Sequence, residues 1–368
     1  MGFRILHSSG EEGHVWSELI ASLPRKKQDI HFLPEYGSIY QRTYGHEPLL
    51  AYFGDERNFV IQPFIRRRLN DLPFLLYQGV IDPCFDIASP YGYGGPICRD
   101  EDEAGALSLL ADFNAALCEW CQTEGIASEF TSLHPLIGNH ELLFRSGIVT
   151  LKKEKEVVYV DLDSSTDELW QQLNRGNKSS IHKARKSGIR IAKVPTTTGN
   201  LEIFNDLYFA TMERQGAAQR WFFPQSYFSN CVQMLGTGRS SLFFAYLEHE
   251  VAAAYFLIHE FDTAYYHFGG SDSRHFTLRP NNCLMYEVEL WSKGAGYHYY
   301  HLGGGVSAAA DDSLLRYKLG FSERTASLYS YHRVHNEGNY RRLCALKLAH
   351  ETAQGIMSES DYFPLYRR

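Results

Sequence analysis

The chain has 368 residues, of which 44% are hydrophobic, and it carries a formal net charge of −7. This length allows one large core or two of ordinary size, and the acidic balance disfavours general nucleic-acid binding, DNA binding included. The sequence shows no apolar run of membrane-spanning length and no signal peptide. Its seven scattered cysteines form no disulfide framework, so we expect a cytoplasmic protein.

Helical and strand patterns alternate in the first part of the chain. They predict helices over residues 15–23 and 101–125, and strands over residues 49–53, 59–67 and 126–132. The loop ASPYGYGGPI at residues 88–97 combines glycines, which permit close backbone approach, with tyrosines, which offer flat rings and hydroxyl groups. We expect Tyr91, Tyr93 and Gly94 to bind substrate; the alternative is a purely structural turn.

Cys118 and Cys121 have CxxC spacing inside the predicted long helix. A second CxxC pair is absent from the sequence, and no histidine spacing completes a ligand set. We interpret the pair as two helix-packed thiols rather than as a zinc or redox centre, and we predict no metal site.

The second part opens with EKEVVYVDLD at residues 154–163, whose alternation predicts a strand. Residues 163–188 carry helix punctuation, with Ser164, Ser165 and Thr166 as candidate N-caps. Further patterns predict helices over residues 201–215 and 282–294 and strands over residues 241–247, 251–260 and 264–269. Together the patterns predict an α+β chain of two lobes with a largely antiparallel mixed sheet.

Two segments of the second part have the character of anion sites. On a helix, Lys178, His182, Arg185 and Lys186 share one face and form a positive stripe, although a solvated helix face has the same pattern. Asn281 and Asn282 begin a predicted helix after a strand and a polar loop, and the amide groups at a helix start attract phosphate.

The segment HLGGGVSAAADDSLLRYKLGF at residues 301–321 breaks a strand at three glycines and then presents Lys318 on an amphipathic stretch. A lysine held beside such a corner suits a positioned cation for a developing oxyanion or a phosphate; the alternative is an ordinary surface lysine. Asp311 and Asp312 are interpreted as caps of the following helix.

In order along the chain, SPYGYGGP, RGNKSSIHKARKSGIRI, TMERQGAAQRWFFPQSYF and SLLRYKLGF resemble segments of the FemABX family, whose members attach amino acids to peptidoglycan precursors. The resemblance implies two GNAT-like lobes at residues 1–150 and 151–329, with residues 330–368 packing back on the first. It implies transfer of an acyl group from acyl-CoA or aminoacyl-tRNA to an amine of a cell-wall, sugar-nucleotide or peptide precursor. No cofactor is bound permanently, and tRNA is the nucleic-acid partner that this scheme allows. The alternative is a non-catalytic relative that binds a nucleotide-sugar or a peptide.

Carried over by position, Tyr317 and Lys318 fall on the aromatic–lysine pair that serves acyl transfer in the family, and Arg214 falls on a position that holds substrate phosphate. We expect the Lys318 ammonium to stabilise the tetrahedral intermediate, with the backbone at Gly303 and Gly304 supplying further donors. His301 is the candidate acceptor of the proton from the attacking amine.

The chain departs from the family in three places. His301-Leu302 stands where relatives carry Asp-Phe, so a carboxylate base is missing, and Tyr40 replaces a phosphate-binding lysine. No coiled-coil arm interrupts the second half. The first two departures disfavour a UDP-muramyl peptide as substrate.

Overall fold

The structure, a computed structural model, describes residues 2–76, 84–100, 102–307, 309, 311–356 and 362–368. The strands are β1 (Gly2–His7), β2 (Glu47–Gly54), β3 (Phe59–Arg68), β4 (Phe85–Ala88), β5 (Ile97–Arg99), β6 (Ile126–Ser132), β7 (Lys152–Asp161), β8 (Ile189–Val194), β9 (Ser240–Leu247), β10 (Glu250–Glu260), β11 (Thr263–Ser271), β12 (Tyr299–Gly304) and β13 (Thr325–Val334). The α-helices are α1 (Gly10–Ser22), α2 (Pro34–Tyr44), α3 (Pro73–Leu76), α4 (Glu103–Thr123), α5 (His140–Ser146), α6 (Thr166–Gln172), α7 (Arg175–Lys186), α8 (Thr198–Arg214), α9 (Gln225–Leu235), α10 (Pro280–Gly294), α11 (Ser313–Leu319) and α12 (Glu337–Ala353). Within the described ranges, none of these helices combines the length and the apolar character needed to cross a bilayer.

The chain divides into two compact units. The first comprises Met1–Lys27, His31–Glu154 and Leu328–Arg368, and the second comprises Gln28–Ile30 and Lys155–Ser327.

The sheet of the first unit has the strand order β1-β2-β3-β4-β6-β13, with β5 paired to β3. Its pairs are antiparallel apart from β4 and β6, which run parallel. The long helix α4 buries Leu109, Phe113 and Leu117 in one core cluster with Leu49 of β2 and Val60 of β3. The apolar positions of α4 recur at helical spacing, which is why this helix was predictable from the sequence.

The sheet of the second unit has the order β7-β12-β11-β10-β9-β8. Only β11 and β12 run parallel among its described pairs, and the others are antiparallel. Strand β10 lies between two neighbours and is buried over most of its length, which accounts for its nearly continuous apolar sequence. The predicted class, an α+β fold with a mostly antiparallel mixed sheet flanked by helices, is confirmed.

Residues 163–188 form two helices rather than one. Ser165 caps α6 by accepting the Glu168 amide, and the Glu168 side chain bonds back to the Ser165 amide. Asn174 then caps α7 by accepting the Asn177 amide at 2.7 Å. The second cap begins a new helix because an asparagine side chain competes for the amide groups that would otherwise continue the first.

Gly270 in β11 sits where no side chain fits. A Cβ atom there would lie 2.4 Å from the carbonyl carbon of Leu207 and 2.5 Å from the amide nitrogen of Tyr208, both backbone atoms of α8. We expect Gly270→Ala to lower the free energy of unfolding by about 1–3 kcal/mol, because the helix must move away from the sheet. The matched control is Gly238→Ala, where a Cβ meets nothing within 4 Å. Equal stability of the two variants in urea unfolding would contradict this packing.

Candidate active site

Strand β12 ends in a kinked segment at Gly303, Gly304 and Gly305, which we call the glycine corner. Its register against β7 shifts between His301 and Gly303, and Gly303 has a φ of +78° that favours glycine. The Gly303 amide donates a 3.1 Å hydrogen bond to His301 Nδ1. His301 is 2% exposed, so its ring holds the corner from inside the unit.

Asp312 fixes the loop between this corner and α11. Its Oδ1 accepts the Leu315 amide at 2.8 Å and its Oδ2 accepts the Ser307 amide at 2.9 Å. A Cβ on Gly305 would lie 2.4 Å from Asp312 Oδ1, so the loop can close this tightly only over a glycine. The interpretation of Asp312 as a helix cap is confirmed.

Lys318 lies on α11 and turns back onto the glycine corner. It is 4% exposed, and its Nζ donates a 2.7 Å hydrogen bond to the Gly304 carbonyl oxygen. Lys155 Nζ donates to the next carbonyl, that of Gly305, at 2.8 Å. The Tyr266 ring centroid is 5.5 Å from Lys318 Nζ. Two lysines therefore converge on the carbonyl side of one short loop.

Burial and, to a smaller extent, the neighbouring charge of Lys155 together lower the pKa of Lys318 to about 7, against the opposing influence of Asp312. Among the described residues Gly304 is its one hydrogen-bond acceptor, which leaves two N–H bonds for a ligand. The arrangement supplies a desolvated, titratable cation at the glycine corner.

Several tyrosines of the second unit carry buried hydroxyl groups, among them Tyr317, the neighbour of Lys318 in the chain. The Tyr317 hydroxyl is buried without a hydrogen bond of good geometry in the described structure, although it interacts with the Tyr255 hydroxyl. Burial raises the pKa of both hydroxyls above its ordinary range. Tyr300 donates to Met285 Sδ at 3.4 Å. These hydroxyls stay protonated at neutral pH and act as donors or neutral dipoles.

Glu289 of α10 places a carboxyl group in the interior of the second unit, where such groups are rare. It is 0% exposed, and neither carboxyl oxygen has a hydrogen-bond partner among the described residues. Burial raises its pKa well above the ordinary value, so the group is held as a neutral acid. Its charge, when present, would act on Tyr300 and Tyr286.

An asparagine cluster joins the starts of α7 and α10 to the end of α11. Asn282 Nδ2 donates to Asn177 Oδ1 at 2.9 Å, and the Asn174 amide donates to the Gly320 carbonyl at 2.9 Å. A Cβ on Gly320 would lie 2.6 Å from the side-chain nitrogen of both Asn174 and Asn177. The Asn281 carbonyl accepts from the Tyr255 hydroxyl at 3.3 Å. Asn282 is thus linked through Asn177 to Gly320 at the end of α11, and Asn281 is linked through Tyr255 to Tyr317.

The basic stripe of α7 is occupied largely by contacts within its own unit. Arg185 donates to Glu287 at 2.7 Å and lies over the rings of Trp170 and Tyr286 at 5.9 and 5.6 Å. Lys178 donates to the Gln171 carbonyl at 2.8 Å and is partly buried. The helix that carries the basic stripe is formed, but the Arg185 guanidinium is already paired with Glu287.

Arg214 ends α8 beside the last residue of β11. Its guanidinium donates to the Ser271 carbonyl at 3.4 Å and to Thr211 Oγ1 at 3.1 Å, and it stacks 4.7 Å from the Phe276 ring centroid. A phosphate there would have to share these donors.

The glycine–tyrosine loop belongs to the first unit and is firmly held. The Tyr91 amide donates to the Tyr40 hydroxyl at 2.9 Å, and the Tyr36 hydroxyl donates to the Tyr91 carbonyl at 2.6 Å. Tyr40, which replaces a lysine of the family pattern, thus braces the loop. The Tyr93 ring centroid lies 4.9 Å from that of His134.

Gly94 is fixed in the same loop through both of its backbone polar groups. Its amide donates to the Ser132 carbonyl at 2.8 Å, and its carbonyl accepts from Asn139 Nδ2 at 2.9 Å. The predicted binding residues of this loop therefore lie on a well-anchored segment of the first unit, whereas Lys318 belongs to the second unit.

Several residues of this site escaped prediction. Lys155 sits in the charged run KKEKE, which reads as solvated surface, and nothing in its spacing points to Gly305. Glu289 could have been noticed, because it occupies a helical position between Met285 and Ser292 on the apolar face of α10.

Residues 174–319 match the protein family described as "Acetyltransferase (GNAT) domain". No curated protein matches the chain. The matched range contains the asparagine cluster, the glycine corner and Lys318. This match supports the prediction that the chain is an acyltransferase enzyme.

The fold is similar to the crystal structure of FemX, with a TM-score of 0.66, 15% identity, and coverage of 92% of this chain and 99% of that chain. It is also similar to L-PGS from Bacillus licheniformis, with a TM-score of 0.50, 10% identity and coverage of 87% and 91%. A conserved protein of unknown function from Bacteroides thetaiotaomicron VPI-5482 gives a TM-score of 0.50, 10% identity and coverage of 82% and 89%. The chain therefore has the GNAT-related, FemABX-like acyltransferase fold that the sequence resemblance implied.

Proposed function

We propose that the protein is an N-acyltransferase in which an amine attacks an activated acyl carbonyl beside Lys318. The observation that carries the proposal is the buried Lys318 ammonium, which has one acceptor in the described structure and a glycine corner beside it. In a water-poor site, such a cation stabilises the oxyanion of the tetrahedral intermediate far more than it could in bulk water.

The reaction forms a carbon–nitrogen bond and breaks the bond between the acyl carbon and its leaving group. With a thioester donor the leaving group is a thiolate, and it can take the proton that the amine releases. His301 Nδ1 accepts the Gly303 amide, so its proton-accepting nitrogen is occupied in this structure. We assign His301 the role of holding the corner in place, and acceptance of the amine proton would require that this bond opens.

The family match favours acyl-CoA as the donor, and the FemX-like fold keeps aminoacyl-tRNA as the second donor to test. We assign donor phosphates to the start of α10 at Asn281 and Asn282, because a helix N-terminus attracts anions and Asn282 bonds Asn177, which lies beside Gly320 at the end of α11. Lys178, Arg185 and Arg214 are assigned as secondary contacts, of which Arg185 and Arg214 are exposed and Lys178 is partly buried. Tyr91, Tyr93 and Gly94 belong to the first unit, and their role in substrate binding stays a prediction.

For the acceptor we propose an amine of a cell-wall, sugar-nucleotide or peptide precursor, on the similarity of the fold to FemX. A UDP-muramyl peptide is disfavoured, because the Tyr40 hydroxyl that stands in place of the family lysine already bonds the Tyr91 amide.

The test is incubation of the protein with acetyl-CoA, or with charged tRNA, and a panel of amino-sugar and peptide amines, read by mass spectrometry. We expect an acylated acceptor together with free CoA, in proportion to the protein added. Thermal stabilisation by CoA or UDP-sugars without any product from either donor would contradict the proposed enzymatic activity. It would instead support a non-catalytic binding protein.

A further inference from the structure

A buried polar cluster in the first unit surrounds the CxxC pair of α4. Glu129 of β6 is 1% exposed, and its carboxylate is held by His335 Nε2 at 3.1 Å, the Tyr331 hydroxyl at 2.7 Å and Gln62 Nε2 at 2.9 Å. Charge and hydrogen bonds from Arg333, His335 and Tyr331 lower the pKa of Glu129 to about 2, against the effect of burial. The carboxylate is therefore fixed and ionised behind the His335 ring.

Cys118 receives donors from two cations on the other side of this cluster. Arg333 Nη1 donates to Cys118 Sγ at 3.2 Å, and His335 also interacts with this thiol and with Cys121. Despite burial, hydrogen bonds to the two thiols and to Glu129 raise the pKa of His335 to about 11. The arrangement places one sulfur beside an imidazolium and a guanidinium, both of which also face the Glu129 carboxylate.

The seven cysteines, all within the described ranges, differ sharply in their surroundings. The hydrogen bond from His335 and the charge of Arg333 lower the pKa of Cys118, whereas burial raises the pKa of the other six. Cys118 and Cys344 are the two that are partly exposed. Cys344 is thus a natural internal comparison for Cys118, because it is also free and partly exposed and its pKa is set mainly by burial.

The geometry points to Cys118 as a nucleophilic thiolate and a site of thiol modification by soft electrophiles or hydrogen peroxide, independent of the proposed acyl transfer. Arg333 beside the sulfur favours an anion there and opposes a metal cation, which separates this reading from a zinc site. With peroxide, the sulfur attacks one oxygen, the O–O bond breaks, the thiolate is oxidised to a sulfenic acid, and the departing hydroxide becomes water by taking a proton from solvent.

The test uses the full-length protein and iodoacetamide, whose carbon–iodine bond breaks as the sulfur–carbon bond forms. After brief exposure between pH 5.5 and pH 9, peptide mapping by mass spectrometry gives the alkylation rates of Cys118 and Cys344 in the same sample. At pH 6.5 we expect Cys118 to react about tenfold faster or more than Cys344, with a rate that levels off at a lower pH than that of Cys344.

His335→Gln is the variant that probes the imidazolium. We expect this variant to lower the alkylation rate of Cys118 about tenfold at pH 6.5 and to shift the pH dependence of that rate to higher pH. The alkylation rate of Cys344 should stay the same. Equal rates of the two cysteines in the unaltered protein, with both still rising above pH 8.5, would overturn the proposal. This comparison needs no substitution, so it decides the question even where His335→Gln fails to fold.

Discussion

Replacing Lys318 with methionine is expected to lower the rate of acyl transfer by about 10²–10³-fold, the usual effect of removing one oxyanion donor. The protein should stay folded, because methionine matches the length of the lysine stem and removes a buried group whose charged form is unfavourable there. Turnover measured with the best donor and acceptor pair, together with circular dichroism and a melting curve, checks both parts. Full activity in Lys318→Met would remove the basis of the proposed mechanism.

The matched control is Lys155→Met, which removes the other lysine of the glycine corner. Lys155 lowers the pKa of Lys318 through like-charge repulsion, so its loss should raise that pKa and keep Lys318 protonated to higher pH. We expect Lys155→Met to retain most of its activity at pH 7. A loss as large as that in Lys318→Met would show that the corner itself, rather than the one cation, is what the reaction requires.

The pH dependence of the unaltered enzyme follows from the same pKa. A lysine is charged below its pKa, and that of Lys318 lies at about 7. If the ammonium is the working form, kcat should fall as the pH rises through about 7, and this fall should shift to higher pH in Lys155→Met. A kcat that only rises across this range would assign Lys318 the opposite role, that of a base.

The sequence was sufficient for long elements with a regular apolar pattern. Helix α4 was placed within a few residues of its limits because its apolar positions recur at helical spacing, and strand β10 because its continuous apolar run is bounded by glutamates. The strand β1 was missed, because it is short and mixed in burial.

The sequence predicted the parts of the candidate site that are close together along the chain, but not the contacts between residues that are far apart in it. The glycine corner and Lys318 are 14 residues apart in the hydrogen bond that joins Lys318 to Gly304, so their proximity follows from one strand, one loop and one short helix. Lys155 reaches the same corner from 150 residues away, and Asn177 meets Asn282 across 105 residues. Such contacts depend on strand order and helix packing, which single-chain periodicity does not contain.

Glu289→Gln should make the protein more stable at neutral pH and reduce the pH dependence of its stability. Glu289 is fully buried without a partner in the described structure, and burial raises its pKa. Above about pH 4.5 the unfolded chain releases this proton while the folded chain keeps it, so the free energy of unfolding falls as the pH rises. Each pH unit over which the folded chain keeps this proton and the unfolded chain has released it costs about 1.4 kcal/mol.

Glutamine keeps the shape of the side chain and is neutral at every pH, so the stability difference between the variant and the parent should grow from pH 5 to pH 7. Urea unfolding at both pH values measures this difference directly. The matched control is Glu287→Gln on the same helix, where the carboxylate is paired with Arg185 at 2.7 Å and partly exposed, and where we expect a small loss of stability instead. A destabilised Glu289→Gln at pH 7 would mean that the carboxylate is ionised and paired in the folded protein, contrary to the isolation seen here.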